Sequence, residues 1–214
     1  MPSSSDSGWG SKLGSAGFFH GVVAVLRLVN RLWFGLKVVG REHLTAHSDG
    51  VITVSNHVAA LDSSMVAGVH LGRRFAFTAL PANFRLPVAG FFVRHLGCIP
   101  VPRRGDDDDR ARFAADVADR VQRDWAVHFF PEGELVPYCE EVREFRHGAF
   151  TLACQLNVPV IPMVITWRPA GPIRRLLRRR PRALLTVCPP EYPGGKSHED
   201  ALELLARCRA AMLA

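Results

Sequence analysis

The sequence predicts an α/β fold: a mixed, largely buried sheet flanked by helices, preceded by an amphipathic or membrane-associating N-terminal helix. Three observations predict it. Short β-rich runs alternate with longer helix-patterned stretches, the order of a layered α/β domain. Most of those runs are nearly all apolar, as strands covered on both faces are, and such sheets are parallel or mixed. The 214 residues, 48% of them hydrophobic, suffice for one domain that buries roughly 70% of its unfolded surface.

Residues 1–16 are rich in Ser and Gly and are expected to be disordered. Residues 17–40 follow as GFFHGVVAVLRLVNRLWFGLKVVG, apolar but interrupted by Arg27, Asn30 and Arg31. A spanning helix needs about 20 uninterrupted apolar residues, and arginines at the bilayer centre cost several kcal/mol. The favoured reading lays this helix in the membrane interface, arginines at headgroup level and Phe18, Val22, Val25, Leu28, Leu32 and Trp33 below. The alternatives are a helix packed on the protein's own core and a full span. Residues 41–214 form the main domain.

Within it, strands are predicted at 51–55, 75–79, 98–101, 126–130, 158–166 and 183–187, and helices at 62–71, 84–95, 107–123, 145–156 and 198–213. The four acids Asp106–Asp109 suit a helix N-terminus, where they oppose the dipole and cap free N–H groups. Phe113, Val117 and Val121 then share one face.

The net charge of +7 and pI of about 9.7 favour an anionic partner. Residues 171–182, GPIRRLLRRRPR, hold six arginines. Contact with anionic lipid headgroups is preferred there, with Leu176 and Leu177 able to insert; a solvated basic loop and a nucleic-acid patch are the other readings. Few aromatics interleave, so no nucleic-acid partner is expected. The five cysteines are scattered without a C-x-x-C pair, which argues against a disulfide framework and for a reducing compartment. No metal is expected, since the histidines lack ligand spacing and His43 and His47 have no third ligand nearby.

Three constellations carry chemistry. In TVSNHVAALDSS an apolar strand ends at Ser55, before Asn56, His57 and Asp62. Five residues on a continuous helix rotate about 500°, leaving His57 and Asp62 about 140° apart. They meet only if His57 sits in a strand-to-helix turn and Asp62 near the helix start. Asp62 can then accept from Nδ1–H and leave Nε2 as a general base. Ser55, Ser63 and Ser64 read as capping or turn residues. In WAVHFFPEGEL a strand runs into Pro131, Glu132 and Gly133, presenting Glu132 at the same edge. In HLGCIPVPRRG a strand ends at Arg103 and Arg104, which suit a phosphate.

Together these blocks resemble the glycerolipid acyltransferases typified by lysophosphatidate (1-acylglycerol-3-phosphate) acyltransferase. The family's Asn-His, four residues, Asp is matched by Asn56, His57 and Asp62; its Gly-x-Ile strand ending in Arg by Gly97, Ile99 and Arg103. Phe130, Pro131, Glu132 and Gly133 match Phe-Pro-Glu-Gly, followed by Arg146, Gly148, Ala149 and Phe150 and then by Val158, Pro159 and Pro162. The resemblance covers about residues 20–170 and implies an acyltransferase-like fold and a fatty acyl transfer in phospholipid biosynthesis. His57 would be the general base, Asp62 its orienting partner, and Asn56, Arg103, Glu132, Gly133 and Arg146 would bind substrate. The donor would be acyl-CoA or acyl-carrier protein with no permanently bound cofactor, the acceptor a lysophospholipid, and the place the cytoplasmic face of a membrane, peripherally or monotopically. Ala59, Pro102 and Glu134-Leu135 depart from the family's usual residues. The last departure keeps open a different acceptor: an aminolipid, a glycolipid or a secondary metabolite. A non-catalytic lipid- or nucleic-acid-binding protein is the remaining reading.

Overall fold

A computed structural model describes residues 16–70, 73–87, 90, 93–94, 97–102, 106–139, 141–169, 171 and 181–214. Arg103, Arg104, residues 1–15 and most of the arginine-rich stretch lie outside them, so the expectations placed there are not addressed. Among the described residues, helix α1 (Ala16–Trp33) leads into strand β1 (Lys37–Val39) and a short helix α2 (Glu42–Thr45). Then come β2 (Val51–Ser55), α3 (Asp62–Ala67), β3 (Phe75–Ala79), a 3₁₀ turn (Pro81–Arg85) and β4 (Ile99–Pro100). The chain continues through α4 (Asp107–Gln122), β5 (Ala126–Phe129), α5 (Gly148–Leu156), β6 (Val160–Arg168), β7 (Arg182–Val187) and α6 (His198–Leu213).

The strands form one sheet in the order β1-β7-β6-β2-β5-β3-β4. Every neighbouring pair is parallel except β6 and β7. The sheet is therefore mixed, as the apolar strand pattern predicts. Its centre is dry: Val51, Ile52, Val54, Ala126, Val127, Val160 and Ile161 are essentially inaccessible. One face packs Val117, Val121, Phe150, Leu204 and Cys208 from α4, α5 and α6. The other packs Met65, Val66, Phe75, Met163 and Leu185, with Leu26 and Phe34 from the α1 end of the chain.

Local chemistry fixes the helix ends. Asp106 caps α4 by accepting from the Asp109 N–H at 2.9 Å. A reciprocal capping box joins Ser197 and Asp200 at the start of α6. Asn157 ends α5 in the left-handed region, φ 54°.

Several elements differ from expectation. The helix expected to continue toward residue 40 stops at Trp33, and Lys37–Val39 instead joins the sheet as an edge strand. The predicted helix at 84–95 is borne out only in its later part: Pro81–Arg85 form a 3₁₀ turn ended before Pro87, while Gly90, Val93 and Arg94 are helical. Asn30 is fully buried, its Nδ2 donating to the Ser64 carbonyl at 2.7 Å, and the Ser64 hydroxyl is shared between its Oδ1 at 3.0 Å and the Leu61 carbonyl at 2.7 Å. This pair bolts α1 to α3. The outer face of α1 still exposes Val25, Leu28, Val29, Leu32 and Trp33. The side chains of Phe18 and Val22 lie outside the described residues.

Candidate active site

β2 and β5 run parallel as neighbours, so both end at the same edge of the sheet. From β2 the chain emerges as Asn56-His57, and from β5 as Phe130-Pro131-Glu132. Asp62 is the first residue of α3. The bend demanded by the five-residue spacing is present: His57 Nδ1–H donates to Asp62 Oδ2 at 2.9 Å. The same oxygen accepts from the Val58 N–H at 2.6 Å and the Ala59 N–H at 2.9 Å. The Asp62 side chain is wholly buried, while that of His57 keeps 23% exposure. Since a carboxylate oxygen held by two backbone donors is an acceptor, Nδ1 carries the proton and Nε2 keeps its lone pair. Asp62 Oδ1 has no partner among the described residues.

The imidazole plane is set from below. It stacks on Phe130 at a centroid distance of 4.2 Å and 19°. Phe130 in turn meets the edge of His128 at 4.8 Å. His128 is fully buried in β5, directly opposite Thr53 of β2. Thr53 Oγ1 lies 2.9 Å from its Nδ1 and Ser55 Oγ lies 3.2 Å from its Nε2. Ser55 Oγ–H is committed to the Asn56 carbonyl at 3.1 Å. It follows that Nε2–H donates to Ser55 and Thr53 donates to Nδ1, a neutral tautomer. Burial pushes His128 well below the ordinary histidine range, with His70 and His57 adding to the effect. Ser55 is thus a core strand residue rather than a turn or cap.

Asn56 is buried and uses both ends of its amide on β6: Nδ2 donates to the Ile165 carbonyl at 2.9 Å, and Oδ1 accepts from the Ile165 N–H at 2.8 Å. This clamp fixes where the chain leaves β2. Glu132 is held as firmly. Phe130–Gly133 form a turn closed by the Gly133 N–H on the Phe130 carbonyl at 3.0 Å, with proline in its favoured place. The Glu132 carboxylate accepts from the His57 backbone N–H at 3.2 Å and from Arg143 Nη2 at 2.6 Å and Nε at 3.1 Å. The Arg143 N–H reaches its other oxygen at 3.1 Å. Glu132 therefore ties the His57 turn to the loop before α5. Arg143 also pairs with Glu134 at 3.2 Å, so its charge is taken twice over.

Gly133 has φ +77°, and a Cβ there would come within 2.6 Å of Arg146 Nε. The Arg146 side chain lies close against this glycine, exposed and in no ion pair among the described residues. The segment between the two blocks closes over His57: the Val136 N–H donates to the His57 carbonyl at 3.1 Å and the Tyr138 N–H to the Val58 carbonyl at 2.8 Å. The site thus assembles His57, Asp62, Asn56, Glu132, Gly133 and Arg146. The sequence reading did not single out His128 or Thr53. Their signal is weak but real, two polar residues in register on otherwise apolar strands. An imidazole with a free Nε2, held by a buried carboxylate, has the geometry of a general base toward a hydroxyl.

Residues 35–166 match the family model described as Acyltransferase. The chain is 26% identical over 197 residues to a 1-acyl-sn-glycerol-3-phosphate acyltransferase of Chlamydomonas reinhardtii, covering 86% of this chain and 57% of the relative. It is 27% identical to a chloroplastic 1-acyl-sn-glycerol-3-phosphate acyltransferase of Brassica napus, covering 69% of this chain and 42% of the relative. The chain spans about half the length of the curated relatives it matches. The fold is similar to the crystal structure of the 1-acyl-sn-glycerophosphate acyltransferase PlsC of Thermotoga maritima, with a TM-score of 0.65, 18% identity and coverage of 94% of this chain and 82% of that one.

Proposed function

The chain belongs to the acyltransferase family, and on that premise we propose that it transfers a fatty acyl group from a thioester to the hydroxyl of a lysophospholipid, 1-acylglycerol-3-phosphate foremost. His57 Nε2 removes the hydroxyl proton as the oxygen attacks the thioester carbonyl. The tetrahedral adduct then collapses, the C–S bond breaks, and the thiolate takes the proton back from the His57 imidazolium. Asp62 keeps Nδ1 protonated and stabilises the imidazolium between these steps. General-base help of this kind is worth about 10² to 10⁴ in rate. The observation that carries the reading is the 2.9 Å bond from the partly exposed His57 ring to the buried Asp62.

Arg146, beside Gly133, supports binding of an anionic headgroup, with Arg103 as a second contact. Asn56 and Glu132 act by positioning the His57 turn. The exposed apolar face of α1 supports peripheral attachment to an anionic membrane surface. No helix among the described residues is long and apolar enough to cross a membrane. The free thiols of all five cysteines suit the reducing, cytoplasmic face of that membrane.

A second reading, an acceptor without a phosphomonoester, is favoured by one feature. Glu134 adds a carboxylate at the site and draws Arg143 to itself. Incubating the protein with labelled acyl thioester and a panel of lysophosphatidate, lysophosphatidylethanolamine and glycolipid acceptors tests both. Acylation of lysophosphatidate supports the first reading, acylation of a neutral or zwitterionic acceptor alone supports the second, and acylation of none refutes both.

A further inference from the structure

A groove of about 550 Å³ lies beside the β1–β7–β6 flank of the sheet, apart from the His57 cluster. Three cations line it: Lys37 of β1, Arg168 of β6 and Arg182 of β7. The sheet explains their convergence. Along β7, Ala183, Leu185 and Val187 are buried in the core, so Arg182, Leu184 and Thr186 point the other way. Arg168 pairs in register with Arg182, and Lys37 with Leu184. All three cations therefore rise from one face, above a floor that includes Leu184 and Thr186.

This arrangement is unfavourable for the protein alone. Like charges directly opposite on paired strands repel. Among the described residues none of the three joins an ion pair. The connection from Arg168 to Arg182 contains no Asp or Glu. A fold that sets two arginines on the same rung without an acid has room for an anion from outside. Guanidiniums in a fork match phosphate oxygens two at a time, and the volume is that of a small-molecule site rather than a flat contact.

Its place gives the groove a role. β6 and β2 run parallel, so Arg168 stands at the same edge of the sheet as His57, though on the face opposite α3, and a donor would have to reach round that edge. Arg168 lies three residues beyond Ile165, the partner of Asn56, or about 10 Å along the strand. We propose that Lys37, Arg168 and Arg182 bind the phosphates of a nucleotide-bearing thioester donor, which makes the donor acyl-CoA rather than acyl-carrier protein. The inference rests on the acyl-transfer reading for the ligand's identity, and on the groove alone for the anion. CoA carries several phosphates on one nucleotide, enough for three cations, whereas a carrier-protein arm offers a single phosphodiester.

The test uses the full chain and free CoA. Calorimetric titration should show CoA binding that weakens about tenfold or more in Arg168→Gln/Arg182→Gln, since bonds to charged groups are the strong ones. Lys37→Gln, on a different strand, should weaken it in the same direction, which separates loss of contact from misfolding. Phosphatidylglycerol vesicles are the control and should sediment wild type and the double variant alike. Wild type that fails to bind CoA, equal CoA affinity in all three proteins, or loss of vesicle binding in place of CoA binding would each overturn the proposal. Transfer is scored separately. CoA binding through these arginines without acylation of any lysolipid refutes the acyl-transfer reading and leaves the groove standing. Equal transfer from acyl-CoA at low donor concentration in wild type and double variant refutes the groove and leaves that reading.

Discussion

At the scale of single residues, the site is a small set of bonds with assigned directions. Asp62 Oδ2 takes three donors at once, one from the His57 ring and two from backbone. Asp62→Asn keeps the size and an acceptor oxygen but removes the charge that stabilises the imidazolium. It should lower kcat by about 10² or more while leaving KM for the acceptor within a few-fold. A proportional rise in KM at unchanged kcat would move Asp62 from orientation to binding. His128 acts one layer down, through Phe130 and the end of β2. The His57–Asp62 pair was read from the ordered blocks and their resemblance to a family; the spacing alone demanded only a bend between the two residues. Arg143, eleven residues after Glu132, was not legible as its partner. Its grip on Glu132 runs through a loop, and loops leave no period to read.

At the scale of elements, β2, β3, β5, β6 and β7 were legible, because buried strands leave unbroken apolar runs. β1 was not, since three residues following an apolar helix carry no period of their own. Helix α1 was legible as amphipathic, but the side taken by Asn30 was not, because a polar residue buried against a partner 34 residues away looks the same in sequence as a solvent-facing one. Asn30→Leu should cost about 0.5–1.5 kcal/mol for each bond lost, since the Ser64 hydroxyl keeps the Leu61 carbonyl and the Ser64 carbonyl keeps the Gly68 N–H. Chemical denaturation checks the size, and protection of α1 from hydrogen exchange should fall with it. Leu28 and Leu32, 58% and 64% exposed, touch the core little. Leu28→Ser/Leu32→Ser should leave stability nearly unchanged and reduce co-sedimentation with anionic vesicles. Undiminished sedimentation would remove α1 from the membrane contact.

At the scale of the whole molecule, two buried histidines contribute to the loss of stability in acid. His70 is stacked on Phe75 at 4.8 Å with neither ring nitrogen partnered among the described residues. Burial, then Arg73 and Arg41, pull it from 6.5 down to about 3. Below pH 6.5 the unfolded chain takes up a proton that the folded chain refuses. The stabilisation is therefore complete above that pH and is lost as pH falls toward 3, by up to about 1.4 kcal/mol per pH unit for the group. His128 acts in the same direction. His70→Phe should flatten the slope between pH 6.5 and 4 in denaturant titrations and raise stability at neutral pH, where an unpartnered polar group is replaced by an apolar ring. An unchanged slope would contradict the assignment. The sheet, the bolted helix and the buried network all serve to hold one imidazole at a strand end with its Nε2 free. The most direct test is acyl transfer to the preferred acceptor by His57→Ala, with folding verified by circular dichroism and thermal melting. The account predicts a native melt and transfer reduced to background; a well-folded His57→Ala protein that transfers at a near-normal rate would contradict it.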